Sequence, residues 1–194
     1  MKKILLISLN IILILVWGVR FYLVNQDIDI PIVQVFPKGI EVPVEKDFFI
    51  NSDEDMDGYT ITVLDAELLS VEDFLKHYNV MEQAELLGNF TDYIYMVRVT
   101  IGNQNNPFVN EKGINLNAYY LKGTDYILSL EDGCYQLANP DMPGTSFSLR
   151  QGTSMELILP FSVMSYQTSR KHILDDPPKL QISLYPHQKL IELY

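Results

Sequence analysis

The sequence of 194 residues contains little of what reactive or disulfide-stabilised domains depend on. Its one cysteine, Cys134, allows no disulfide within the chain, so any folded domain is held together by packing. Three histidines lie far apart without the spacing of metal ligands, and no nucleophile elbow, phosphate loop or dinucleotide fingerprint is present. These absences favour a protein that is not an enzyme, and we expect Cys134 to be a small buried packing residue.

Basic residues are also scarce. There are 14 Lys and Arg against 25 Asp and Glu, and three of the basic residues, Lys2, Lys3 and Arg20, lie at the N-terminus. The rest of the chain therefore carries a net charge of −14. Such a charge excludes binding to nucleic acid and to the surface of anionic lipid, and it is typical of a solvated surface.

One long apolar run, residues 4–24, predicts a helix that spans a membrane. Lys2 and Lys3 precede the run while Asp27 and Asp29 follow it, which predicts a cytoplasmic N-terminus and an extracellular C-terminal part. A cleavable secretory signal is the alternative. Residues 19–24 offer bulky or charged side chains where signal cleavage requires small ones, so we expect an uncleaved signal anchor.

Short alternating segments separated by Gly, Pro and Asn predict a mainly β domain. One short helix is expected to begin at Val71, with Ser70 as its N-cap, and a further helical turn is expected at residues 81–87. Residues 146–149 and 155–161 are expected to pair as a hairpin, and residues 165–179 to form a long loop. Strands are expected at residues 40–44, 59–69, 93–101, 115–121, 125–130, 146–149, 155–161, 180–184 and 189–193. Without any βαβ alternation, this pattern favours an antiparallel β-sandwich.

These elements divide the chain into three parts. Residues 1–26 form the signal anchor, residues 27–37 a short acidic tether, and residues 38–194 the extracellular β-sandwich domain. The size of the last part is that of one domain with a real hydrophobic core.

Four segments carry a resemblance to a known class of protein. They are the strands at residues 38–44, 58–67, 97–103 and 157–161, which follow a short anchor. The chain resembles uncharacterised membrane-anchored surface domains of Gram-positive bacteria with an immunoglobulin-like β-sandwich. The resemblance implies that fold and a position at the cell surface, but no reaction. This chain differs from the lipoprotein members in having a helical anchor in place of a lipid-bearing cysteine.

An acidic turn is the one candidate metal site in the sequence. Asp53, Asp55 and Asp57 stand at alternate positions before Gly58, which is how a calcium-binding loop begins. The full EF-hand pattern requires a bidentate Glu where this chain has Leu64, so a looser Ca²⁺ site and a solvated acidic turn both stay open. No other cofactor is expected.

Recognition is the function that these observations favour. Residues 71–87 and 165–178 are expected to carry it, since loops on a rigid scaffold usually bind partners, and Tyr119, Tyr120, Tyr126 and Tyr166 are candidates for a contact patch. We therefore expect a membrane-anchored extracellular binding or accessory domain with a protein or cell-wall partner. The alternative is a cell-envelope hydrolase that uses paired carboxylates.

Overall fold

The computed structural model describes residues 2–26, 30–50, 56–82, 91–107, 113–142 and 144–194. The chain forms two compact units, Met1–Ile30 and Pro31–Tyr194. Among the described residues there are four α-helices and several β-sheets, and the fold is mainly β.

The first unit is one helix, α1 (Lys2–Asn25), and this confirms the predicted N-terminal apolar helix. Within it, Leu6–Asn25 has a mean hydropathy of 2.1 and is long enough to cross a bilayer. Asn10 is one of the polar residues in this stretch, and its side-chain amide donates to the Leu6 carbonyl at 2.8 Å. This bond lies within the helix and satisfies one of the amide's donors.

The second unit contains a five-stranded sheet in the order β1-β11-β10-β6-β7. These strands are β1 (Ile32–Phe36), β6 (Tyr120–Lys122), β7 (Ile127–Ser129), β10 (Lys179–Gln181) and β11 (His187–Glu192). All neighbouring pairs are antiparallel except β1 and β11, which are parallel.

A four-stranded antiparallel sheet has the order β2-β3-β4-β9. Its strands are β2 (Val42–Pro43), β3 (Tyr59–Ser70), β4 (Tyr93–Asn103) and β9 (Thr153–Val163). Pro43 lies in the edge strand, as predicted, since proline cannot donate a ladder hydrogen bond. The alternation in β3 and β4 correctly predicted two of the three longest described strands, which pair with each other.

Both sheets contribute side chains to one buried hydrophobic cluster. Members from the four-stranded sheet include Ile61, Val63, Val97, Val99 and Leu159, and members from the five-stranded sheet include Leu121, Leu128, Leu180 and Ile191. Side chains of the two sheets therefore meet in the main core of the domain.

The opposite face of β4 is also buried. There Ile94 and Met96 form a second, smaller cluster with Phe74, Leu75 and Cys134. Phe74 and Leu75 come from α2 (Val71–His77), and Cys134 comes from α3 (Asp132–Ala138). Two short helices thus cover part of the outer face of the four-stranded sheet.

The structure corrects the predicted hairpin between residues 146–149 and 155–161. β9 pairs along its length with β4, while β8 (Ser146–Phe147) pairs with β5 (Ile114–Asn115) in a separate two-stranded sheet. The predicted turn exists, since the Thr153 amide donates to the Arg150 carbonyl at 3.1 Å. It changes the direction of the chain without pairing the segments on either side of it. The predicted strand 115–121 is likewise divided, by a short 3-10 helix at Leu116–Ala118.

Three elements were missed from the sequence. β1 lies within residues 27–37, which were assigned to the tether, and its parallel pairing with β11 departs from a purely antiparallel sandwich. α3 stands where a turn was expected, and α4 (Arg170–Asp175) lies within the expected loop 165–179. By contrast, α2 begins as predicted, with the Ser70 hydroxyl oxygen accepting from the Asp73 amide at 3.1 Å.

Candidate functional site

The predicted acidic turn is only partly described. Asp53 and Asp55 lie outside the described residues, so the calcium hypothesis stays a prediction. Asp57 is exposed, and its main-chain carbonyl accepts from the Asn106 side-chain amide at 2.7 Å. Gly58 follows with φ of +91°, and a Cβ there would lie 2.2 Å from the Asn105 side chain. This position therefore requires glycine, both for its backbone conformation and for the close approach of the next loop.

A cluster of three potential metal ligands joins α4 to the turn between β6 and β7. His172 Nε2 lies 2.7 Å from Asp125 Oδ1. The carboxylate of Asp176 accepts from the Thr124 amide at 2.8 Å and from the Thr124 hydroxyl at 3.0 Å. The ligand atoms of Asp125, His172 and Asp176 all lie within 4.8 Å of one another.

Hydrogen bonds to the two carboxylates hold this cluster together. The hydrogen bond to Asp125 raises the pKa of His172, and the Thr124 amide lowers the pKa of Asp176. One imidazole and two carboxylates form a donor set that suits a divalent ion such as Zn²⁺. The same groups already bond to one another, however, and Tyr126 Oη donates to the Asp176 carbonyl at 2.5 Å. We therefore interpret the cluster as a clamp that fastens α4 to the β6–β7 turn.

The main concave surface that we consider for binding lies beside α2 and α3. We call it the two-helix groove. It has a volume of about 640 Å³, and its lining includes Tyr78, Val80, Tyr135, Leu137, Pro140 and Met142. Apolar and aromatic side chains with a few polar groups are typical of a recognition surface.

Tyr78 divides the groove from a smaller depression of about 190 Å³. It follows the last residue of α2, and its hydroxyl lies 3.7 Å from Met96 Sδ. Burial raises the pKa of Tyr78, so its hydroxyl stays protonated at neutral pH. The smaller depression is lined by charged groups of both signs, among them Glu67 and Arg98. A surface of aromatic, apolar and polar groups therefore adjoins a charged one.

Asn139 fixes the end of α3 against β9. Its amide nitrogen donates to the Ile158 carbonyl at 2.8 Å and to the Tyr135 carbonyl at 2.9 Å. Its amide oxygen accepts from the Ile158 amide at 2.9 Å. On the same side, Tyr135 Oη donates to the Gly144 carbonyl at 3.0 Å. This wall of the groove is thus built from a helix and a strand that are bonded directly to each other.

The structure brings together only some of the residues that the sequence singled out for recognition. Tyr78 and Val80, which follow α2, line the groove; residues 83–87 lie outside the described part of the chain, and the recognition role expected for residues 71–87 stays a prediction. α3 was missed, because Gly133 and the acidic residues before it indicated a turn. The other segment, residues 165–178, contributes to the His172 clamp.

The candidate tyrosines do not form one exposed patch. Tyr119 and Tyr126 are core residues with 2% and 7% exposure, whereas Tyr166 is 74% exposed. Cys134 is fully buried, as predicted, and burial raises the pKa of its thiol to about 12. A thiol that stays protonated at neutral pH is a poor nucleophile, so Cys134 acts in packing.

These features define a mainly β domain that carries an N-terminal apolar helix. Residues 33–189 match the family described as domain of unknown function (DUF5028), and the chain belongs to that family. The match covers nearly the whole folded unit and excludes the helix. Comparison with curated proteins and with solved structures gives no match.

Proposed function

We propose that the protein is a single-pass membrane protein of Gram-positive bacteria whose C-terminal domain, an immunoglobulin-like β-sandwich, lies outside the cell and binds a partner protein. The observation that carries this proposal is the apolar stretch Leu6–Asn25, which stands directly before the family domain. Lys2 and Lys3 on one side and the acidic segment on the other support a cytoplasmic N-terminus. The shared core of the two sheets supports the sandwich, and the lack of a disulfide pair suits a bacterial surface.

The two-helix groove is the surface that we propose for contact with the partner. It combines apolar area with aromatic rings, and its wall is held rigidly through Asn139. Its lining also includes the polar residues Gln136 and Asn139, and a rigid surface of this mixed kind loses little conformational entropy on binding. The net charge of −14 outside the N-terminal helix favours a partner with a basic surface and disfavours anionic cell-wall polymers.

The proposed role is binding without catalysis. Among the described residues, Asp125 and Asp176 are one pair of carboxylates that the hydrolase hypothesis could use. They stand at the surface, with the Asp125 side chain 69% exposed, and they are engaged by His172 and Thr124. A glycosidase instead places its carboxylates in a cleft where burial tunes one pKa upwards. The arrangement favours the binding role over the hydrolase.

Site-specific photocrosslinking of the full-length chain in its own membrane tests this proposal. A photoreactive residue replaces Leu137 in the groove, and a matched control replaces Ile127, an exposed apolar residue of β7. We expect a crosslinked protein at position 137 that is absent at position 127. The captured protein is then purified, and we expect its affinity to fall with Leu137→Asp and with added salt, but not with Ile127→Asp. Identical crosslinks at both positions, or none at position 137, would contradict the proposed surface.

A further inference from the structure

A lysine and an aspartate lie buried side by side in the folded unit. The Lys189 side chain, on β11, is 1% exposed, and the Asp47 side chain, beyond β2, is 3% exposed. Lys189 Nζ lies 2.9 Å from Asp47 Oδ2 and 2.6 Å from Glu45 Oε2. It also donates to the main-chain carbonyls of Pro43 at 2.9 Å and Val44 at 3.0 Å. Four oxygen atoms from one short segment thus surround a single amine.

Burial makes this arrangement expensive for an ordinary ion pair. Removing two charges from water costs several kcal/mol per ion, and buried ion pairs often stabilise a protein no more than apolar residues of the same size. Glu45 adds a further cost, because its φ of +60° is a left-handed conformation that non-glycine residues rarely adopt. Backbone strain of this kind is often found where a side chain is held for a function.

The contact between Lys189 Nζ and Asp47 Oδ2 is short but does not have the angles of a hydrogen bond. Although Nζ lies 2.9 Å from Oδ2, that oxygen has no hydrogen-bond partner among the described residues. The other oxygen, Oδ1, is 3.0 Å from His187 Nδ1. One side of the carboxyl group is therefore held by an imidazole, and the other side faces the amine.

We propose that Lys189 and Asp47 join through an intramolecular amide bond between Nζ and Cγ. Glu45 accepts one proton from the Lys189 ammonium group over 2.6 Å. The neutral amine keeps two N–H groups for the carbonyls of Pro43 and Val44, and its lone pair attacks Cγ of Asp47.

As the C–N bond forms, the proton on Glu45 passes to Oδ2, so the tetrahedral intermediate carries its negative charge on Oδ1, where the N–H of His187 stabilises it. The Cγ–Oδ2 bond then breaks, and Oδ2 leaves as water with the proton received from Glu45 and a second proton from the attacking nitrogen. An ammonium and a carboxylate thus give one amide and one water, with no other reactant. Fixed contact between the reacting groups provides the proximity that the step needs.

Such a bond would have a clear structural role. It would tie β11 to the segment after β2 across most of the length of the folded unit, and so restrict the unfolded chain as a disulfide does. The chain has only one cysteine and cannot form a disulfide bond within itself. This inference does not depend on the proposed binding function.

Mass spectrometry of the wild-type full-length chain, purified in detergent and then denatured, tests the proposal. We expect an intact mass lower than the sequence mass by one water, and a proteolytic digest that contains one branched peptide joining Asp47 to Lys189. An unaltered mass with both residues in separate peptides would show an ion pair only and would overturn the proposal. Loss of water with the two peptides still separate would also overturn it, because a succinimide loses the same mass.

Variants test the individual roles. Asp47→Ala and Lys189→Arg should show the full sequence mass, whereas Asp47→Asn should still form the amide, with loss of ammonia. Lys179→Arg, on the neighbouring strand β10, is the matched control and should lose water like the wild type. Glu45→Gln should fold with an unchanged circular dichroism spectrum but form the amide at least tenfold more slowly. A Glu45→Gln rate equal to that of the wild type would contradict the assigned proton transfer.

Discussion

Asn103, at the end of β4, allows a quantitative test of how the four-stranded sheet is fastened to the loops beside it. It is 1% exposed and makes three hydrogen bonds. Its amide nitrogen donates to the carbonyls of Leu149 at 2.8 Å and Asn106 at 3.0 Å, and its amide oxygen accepts from the Asn106 amide at 2.8 Å. Each such bond contributes about 1 kcal/mol net, so Asn103→Ala should lower the free energy of unfolding by about 3 kcal/mol. For a domain of this size, that corresponds to a fall in Tm of about 6–12 °C.

Thermal unfolding of the full-length chain in detergent, followed by circular dichroism, measures this loss. The matched control is Gln104→Ala, at the next position, whose exposed side chain donates one hydrogen bond to Glu41 at 2.7 Å. Exposed positions of this kind change stability by less than about 0.5 kcal/mol. A Tm for Asn103→Ala within about 2 °C of the wild type would mean a loss under 1 kcal/mol and would refute the reasoning.

Three further predictions concern other parts of the domain. Ser70→Ala should cost about 1 kcal/mol in chemical unfolding, because the hydroxyl's bonds to the Asp73 amide and carboxylate are lost, and Ser70→Thr, which keeps the hydroxyl, should restore most of this stability. The raised pKa of His172 in the folded state means that its pairing with Asp125 stabilises the fold below the unfolded-state pKa, and that this contribution is lost as the pH rises through the folded-state value. The Tm difference between the wild type and His172→Ala should therefore be larger at pH 5 than at pH 9; an equal difference would contradict the clamp. Cys134 should resist alkylation at pH 8 in the native chain and react on unfolding, and native reaction at the rate of a free thiol would contradict its burial.

Local patterns predicted the elements that one stretch of chain can specify. Val97, Val99 and Ile101 alternate with polar or half-buried positions, and β4 forms there with the alternating face in the core. The sequence Ser70-Val71-Glu72-Asp73 places a hydroxyl before acidic residues, and α2 begins there. In both cases the sequence pattern reflects the interaction that forms the element. In β4 it is burial of one face of the strand, and in α2 it is capping of the free amides at the helix N-terminus.

Non-local pairing could not be predicted in this way. β1 is five residues long with mostly exposed side chains, and its partner β11 lies at the other end of the domain. β9 pairs with β4 because its inward residues complete the core beside Val97 and Val99, although a turn at Gly152 equally suits a hairpin. α3 and α4 have seven and six residues, which is too short for a helical period to emerge.

The candidate sites depend on the same long-range contacts. The two-helix groove combines the residues that follow α2 with α3, and the intervening sequence gives no sign that they meet. The His172 clamp does have a local signal, since His172 and Asp176 are four residues apart on one helical turn, but Thr124 and Asp125 come from another hairpin. Lys189 was predicted only as the first residue of a strand, and Asp47 comes beside it through the long-range fold.

The central claim is that an N-terminal helix holds the family domain outside the cell. A membrane-impermeant maleimide applied to intact cells tests it, because the native Cys134 is buried and should not react. Gln151→Cys places an exposed thiol in the β8–β9 turn, and Lys3→Cys places one before the apolar stretch. The proposal predicts labelling at position 151 in intact cells and labelling at position 3 only after the membrane is permeabilised. Labelling at position 3 but not at position 151 in intact cells would show that the topology is the reverse of the proposed one. A thiol at position 151 that reacts only after permeabilisation would contradict an extracellular domain.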